Sequence, residues 1–146
     1  MTLRISFEQE LENLNDALTD MGTKVERVIE RTFEAFRNND REALQKIIRG
    51  DGEVDRMEKE IESQCLSLML RQQPVARDLR HISMALKVVT DLERIGDHAV
   101  DIAELALRLD QKDAEAMVGY LPEMVENVKT MLRESIDAFV KKDVEL

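Results

Sequence analysis

One cysteine, two prolines, five glycines and no tryptophan occur in 146 residues, and aromatic side chains make up 3% of the chain. Each scarcity removes a class of structure. The lone Cys65 excludes an intrachain disulfide and fits a reducing compartment, where a thiol on a helix face acts as small apolar filler. So few prolines and glycines leave little material for turns. So few aromatics, with Leu, Ala, Met, Glu, Lys and Arg dominant, point to long helices and away from sheets. Basic residues number 21 against 31 acidic, a net charge of −10. That balance argues against a general nucleic-acid binder and a polybasic membrane anchor, and favours cations or basic protein surfaces as partners. No apolar run approaches the ~20 residues of a membrane span. The stretch from Met1 to Glu10 lacks the apolar core and cleavage site of a secretory signal, so a cytoplasmic protein is expected. There is no Gly-x-Ser-x-Gly elbow and no Gly-rich phosphate-cradling loop, and Cys65 has no basic neighbour at helical spacing, so catalysis through a nucleophile is not expected. The absence of that loop also argues against direct phosphate binding.

What is present is helical periodicity. Phe7, Leu11, Leu14, Leu18, Met21, Val25, Val28, Thr32 and Ala35 alternate in steps of four and three, a heptad seam. Ser6 with Gln9 is a possible capping box at its start, and Asn38-Asn39 are its stop. The spacing predicts a helix over 7–38, about 48 Å long at 1.5 Å per residue, which must lie against others to be stable. Asp40 is placed to cap a short helix with Leu44, Ile47 and Ile48 on its apolar face. Gly50-Asp51-Gly52 predicts a kink or break, after which Val54, Met57 or Glu58, Ile61, Cys65, Leu68 and Met69 continue the pattern to Arg71. Gln72-Gln73-Pro74 is a short link that forces an antiparallel hairpin. The third long helix carries Val75, Leu79, Ile82, Leu86, Val89, Gly96, Ala99, Val100, Ala103 and Leu107 on its buried side, with Leu92 near the seam. Gly96 on that side is expected to let a neighbouring helix approach closely.

Two acidic rows stand out on this scaffold. Glu93, Asp97 and Asp101 are spaced i, i+4, i+8, so three carboxylates share one helix face. Like charges at that spacing cost roughly 0.2–0.5 kcal/mol per pair, and Arg94, one position round, cannot neutralise all three. Asp51, Asp55, Glu58 and Glu62 form a second row. A hard cation held by oxygen ligands is the chemistry that such rows suit, with solvated acidic faces the simpler alternative. His98 lies about 100° round from Asp97 and is expected at the surface or beside the ligands. His81 follows Asp78 at i+3, but the remaining carboxylates of a di-iron bundle are missing. Arg77 and Arg80 in a first turn oppose the helix dipole, which hints at a paired or binding role with Asp78.

After a polar link over 110–119, predicted as a short helical turn or a loop, Pro122 opens a fourth helix. Its predicted seam is Met124, Val128, Met131, Ser135, Ala138 and Phe139. A shift of 103 positions lays Met124 on Met21, Val128 on Val25, Met131 on Val28 and Phe139 on Phe36. An internal repeat is therefore expected to restart here. The organisation expected is an all-α antiparallel three-helix bundle over 1–110, a linker over 111–121, and the first helix of an incomplete second repeat over 122–146.

The segments Gln72-Gln73-Pro74-Val75-Ala76-Arg77-Asp78-Leu79-Arg80 and Asp91-Leu92-Glu93-Arg94-Ile95-Gly96-Asp97-His98-Ala99 resemble the PhoU family of phosphate-transport regulators. The resemblance implies a fold of two similar three-helix bundles. It also implies metal binding through Asp/Glu-x-x-x-Asp motifs, which fall on Asp51 and Asp55, Glu93 and Asp97, and Asp97 and Asp101. The metal it implies is iron or zinc, with manganese or magnesium also suited to carboxylates. It implies a cytoplasmic adaptor, not an enzyme, that restrains the phosphate-starvation response between a phosphate ABC transporter and a sensor histidine kinase. Arg77, Asp78, Arg80 and Arg94 are candidates for the partner surface, and a homodimer or higher oligomer is expected. A metal-dependent carboxylate enzyme and a purely structural helical module are the alternatives.

Overall fold

In the computed structural model, which describes residues 2–50, 52–71 and 75–141, the first long seam folds as one helix, α1 (Thr2–Arg37). It begins earlier than Ser6, because no glycine or proline interrupts the residues before Phe7, so Ser6 lies inside the helix and is not its cap. Its end is the predicted one. Asn39 takes a left-handed φ of 52°, which asparagine tolerates. The Asp40 N–H then donates to the Ala35 carbonyl and the Asn39 N–H to that of Phe36, the paired bonds that satisfy a helix's last carbonyls. The Asp40 side chain in turn accepts from the Ala43 N–H at 3.1 Å and starts α2 (Arg41–Arg49). One turn thus ends a helix and caps the next. Gly50 and Gly52, both at positive φ, make the expected break before α3 (Glu53–Arg71). The link at 72–74 lies outside the described residues, and α4 (Ala76–Arg108) follows.

The core is the meeting of three seams. Leu14, Leu18, Met21 and Val25 of α1 pack with Ile61, Cys65 and Leu68 of α3 and Ile82, Ala85, Val89 and Leu92 of α4. Each fully buried large aliphatic side chain contributes about 1.5–3 kcal/mol of transfer free energy. Asn15 meets His81 and Val25 lies near Gly96, so α1 and α4 run parallel. α3 runs antiparallel to both, with Lys24 bonded to Glu53 at one end. On α4 the buried positions are Asp78, Ile82, Ala85, Val89, Leu92, Gly96, Ala99, Ala103 and Ala106, an unbroken four-three alternation. Val75 and Leu79, expected in the seam, are exposed instead, because the seam enters the first turn through Asp78. A second cluster forms where Leu44 of α2 meets Ala35, Phe36, Ala103, Ala106 and Ala114, and Arg41 fastens α2 to α4 through the Leu107 carbonyl at 2.8 Å.

Gly96 is not needed for close approach. A methyl group there meets Val54 at 3.7 Å and Val25 at 4.0 Å, ordinary van der Waals contact. Gly96→Ala is therefore expected to stabilise the fold by about 0.5–1 kcal/mol through reduced freedom of the unfolded chain. A thermal melt reads this as a rise of a few degrees, and a fall would show that α3 and α4 sit closer than described.

The polar link forms a helix, α5 (Gln111–Val118), capped by Asp110 accepting from the Asp113 N–H at 2.8 Å. α6 (Leu121–Lys141) then packs antiparallel on α1, and of the predicted seam Phe139 reaches the core while the three positions that open it do not. Leu132 and Ile136 are buried, whereas Met124 and Met131 are 59% and 67% exposed and Val128 is also exposed. The helix carries two apolar stripes, and what decides between them lies on α1. Gly22 is buried against Ile136. Glu26 pairs with Arg133, and Glu30 with Lys129 at 2.6 Å. The 103-residue shift carries Glu26 onto Lys129 and Glu30 onto Arg133. The two bridges are thus exchanged by the repeat, as across a two-fold axis.

Candidate functional site

The Gly50–Gly52 break and the antiparallel run of α3 against α4 bring the two acidic rows side by side. Asp55, Glu58 and Glu62 stand on α3, and Glu93 and Asp97 on α4. Their crowding is visible in their acidity. The Glu93 carboxyl is pushed up to about 7, first by burial, then by its hydrogen bond to Asp97, and then by the charges of Asp97, Glu58 and Asp55. Burial, followed by the charges of Glu62, Asp55 and Asp97, raises Glu58 as well, with Lys59 opposing. The Glu93 carboxyl is therefore partly protonated near neutral pH, and the group as a whole holds more carboxylate than it holds positive charge.

The other sequence candidates separate from this group. Asp51 lies outside the described residues. Asp101 is exposed and faces His98 at 3.7 Å. Arg94 turns to Asp91, also at 3.7 Å, and not to the acidic row. Asp78 is buried in the α4 seam, so of the candidate partner surface Arg77, Arg80 and Arg94 face outward and Asp78 does not. His81 is a packing residue, its Nε2 2.8 Å from Asn15 Oδ1 and its ring stacked on Phe139 at 4.6 Å. Cys65 is buried in the core, its thiol pushed up to about 11 by burial and by Glu62, which leaves it unreactive.

The donor set suits a hard cation in kind and in charge. Among the described residues, however, no three His, Cys, Asp or Glu side chains are already gathered closely enough to hold one. A cation would have to draw the carboxylates together or take further oxygens from elsewhere.

Asp55 and Asp97 also form one end of a cleft of about 580 Å³, walled by α1 and α2 and floored by α4. Arg31, Lys46 and Arg49 line it further along. Sequence reading missed these three, since they come from two helices and share no motif.

A family model of the PhoU domain matches residues 18–106, which span just over half of α1, all of α2 and α3 and all but the last two residues of α4. This chain belongs to the PhoU family. A phosphate-specific transport system accessory protein PhoU homolog of Clostridium acetobutylicum is 42% identical over 146 residues, 99% of this chain and 66% of the relative. The homolog of Aquifex aeolicus is 34% identical over 92% of this chain and 61% of its own length. The PhoU protein of Escherichia coli is 31% identical over 95% of this chain and 58% of its own. The chain thus spans about three fifths of the length of these PhoU relatives. No helix among the described residues is long and apolar enough to cross a membrane.

Proposed function

We propose that this chain acts as a cytoplasmic accessory protein of phosphate uptake, a metal-binding adaptor that restrains phosphate-starvation signalling by joining a phosphate ABC transporter to a sensor histidine kinase. The reading is supported by the match to PhoU relatives along nearly the whole chain, together with an acidic face that lacks enough cations to balance it. Asp55, Glu58, Glu93 and Asp97 would hold the metal, with Asp51 beside them in sequence. A bound cation supplies neutralisation of charge between α3 and α4, stiffening the face that a partner would read. The outward arginines, Arg77, Arg80 and Arg94, are the partner contacts in this reading. We read residues 122–141 as the opening helix of a second repeat. Its exposed stripe of Met124, Val128 and Met131 corresponds to the core face of α1, and the helices of that repeat or a second copy of the chain would cover it.

Elemental analysis after chelator-free purification tests the metal. Near-stoichiometric iron, zinc, manganese or magnesium is expected in the wild type, falling about tenfold in an Asp55→Asn, Asp97→Asn variant of unchanged helicity. The same variant in the living cell should release a phosphate-starvation reporter from repression. Metal-free wild type, with a variant that represses normally, would leave a structural module with solvated acidic faces.

A further inference from the structure

The cleft beside the acidic row has features that a lone cation does not require. It follows α1 from Asn38 to Lys24, about 21 Å at 1.5 Å per residue. At one end are the Asn38 amide and the small walls of Ala35 and Ala43. Arg31 of α1 and Lys46 and Arg49 of α2 line the middle, above an apolar floor that includes Val28, Ile47 and Val100. Asp55 and Asp97 stand at the other end.

Several charges in the cleft are already engaged. Lys24 holds Glu53 at 2.7 Å, and the Asp40 carboxylate caps α2. Arg31, Lys46 and Arg49 form no ion pair among the described residues, although Glu34 shares the wall with them. Two carboxylates are a sparse set for a cation, but magnesium is commonly held by one or two carboxylates together with phosphate oxygens. A volume of about 580 Å³ falls in the range of small-molecule sites.

We propose that this cleft binds a nucleoside polyphosphate with its divalent cation. The base lies against Asn38, Ala35 and Ala43, the phosphates reach Arg31, Lys46 and Arg49, and Asp55 and Asp97 hold the cation. The cation end rests on the metal reading above, and the phosphate and base ends do not. No Gly-rich loop is required, because side chains of two helices supply the positive charge. An inorganic phosphate is too short to use both ends, and a plain polyphosphate chain has no use for the apolar floor.

Equilibrium dialysis of the whole chain against labelled ATP tests the proposal, with magnesium and with EDTA. Saturable binding of one nucleotide per chain is expected in magnesium, weakened about tenfold or more by an Arg31→Ala, Arg49→Ala variant and by Lys46→Glu. Circular dichroism verifies that these surface variants stay folded. In EDTA the wild type should bind more weakly, and Asp97→Asn should remove the difference between the two conditions. Equal binding in magnesium and EDTA that is still lost in the arginine variant overturns the cation end and counts against the metal reading, while supporting the phosphate end. No saturable binding up to about 1 mM, or equal binding by wild type and arginine variant, overturns the proposal. Displacement by an equal concentration of inorganic phosphate also overturns it, since a lone oxyanion would then be the ligand.

Discussion

Gly22→Leu will detach α6 from the bundle. Gly22 is buried on the face of α1 that receives α6, and a side-chain carbon there would overlap the terminal methyl of Ile136. Ile136 can swing its terminal methyl away from an alanine, so Gly22→Ala should be mild and should be relieved by Ile136→Val, which removes that methyl. A leucine has nowhere to go. Overpacking of this kind costs about 3 kcal/mol when the neighbour cannot yield, and the melting temperature should fall by about 10 °C. Leu132 and Ile136 join the same core as Leu14, Leu18, Ile61, Leu68, Ile82 and Val89, but α1, α3 and α4 also pack directly on one another. The loss should therefore be local. α6 comprises 21 residues, and a helix of that length released into water is marginal, so helicity should drop by about a sixth and limited proteolysis should cut first near Gly119. Unchanged melting and an unchanged cleavage pattern would mean that α6 does not dock over Gly22.

Stability should fall as pH rises from about 4.5 to 7, and Glu93→Gln should remove most of that fall, leaving the part due to Glu58. The folded chain keeps the Glu93 proton up to about 7, whereas the ordinary carboxyl releases it near 4.5. Within that window the folded state binds more protons than the unfolded state, so each rise in pH favours unfolding, and above about 7 the loss is complete. Glu93 is half-buried, so solvent screening reduces the effect to about 1–2 kcal/mol. Glutamine keeps the hydrogen bond to Asp97 and carries no charge, so the variant should melt several degrees above the wild type at pH 8 and level with it near pH 4.5. The control is cation addition. A bound divalent ion stabilises by mass action, so at pH 8 it should raise the wild-type melting temperature more than that of the variant. Parallel pH curves for the two proteins would show that Glu93 ionises freely.

The two predictions concern faces that differed in how far they could be read. The acidic rows were visible at once, because i, i+4 spacing fixes which carboxylates share a helix face before any neighbour is known. That Glu58 belongs with Glu93 and Asp97, while Asp101 turns to His98, depends on how α3 is set against α4 and has no local signature. The cleft cations were hidden for the same reason, as Arg31, Lys46 and Arg49 become neighbours only when α2 folds back along α1. Gly96 and Gly22 show the limit most clearly. Both lie on buried faces, yet only at Gly22 must a neighbour, the terminal methyl of Ile136, give way before any side chain fits.

By itself the sequence determined the helices, the Asp40 cap, the glycine break, the seam of α1 and the middle of the seam of α4. Each follows from hydrogen bonding and periodicity within a few turns of chain. The tertiary structure alone decided which stripe of α6 is buried. Met124, Val128 and Met131 are as apolar as Leu132 and Ile136, so hydrophobicity could not choose between the stripes. The choice fell to the gap left by Gly22 and to Glu26 and Glu30, which lie about 100 residues away in sequence and act on α6 only across the completed interface.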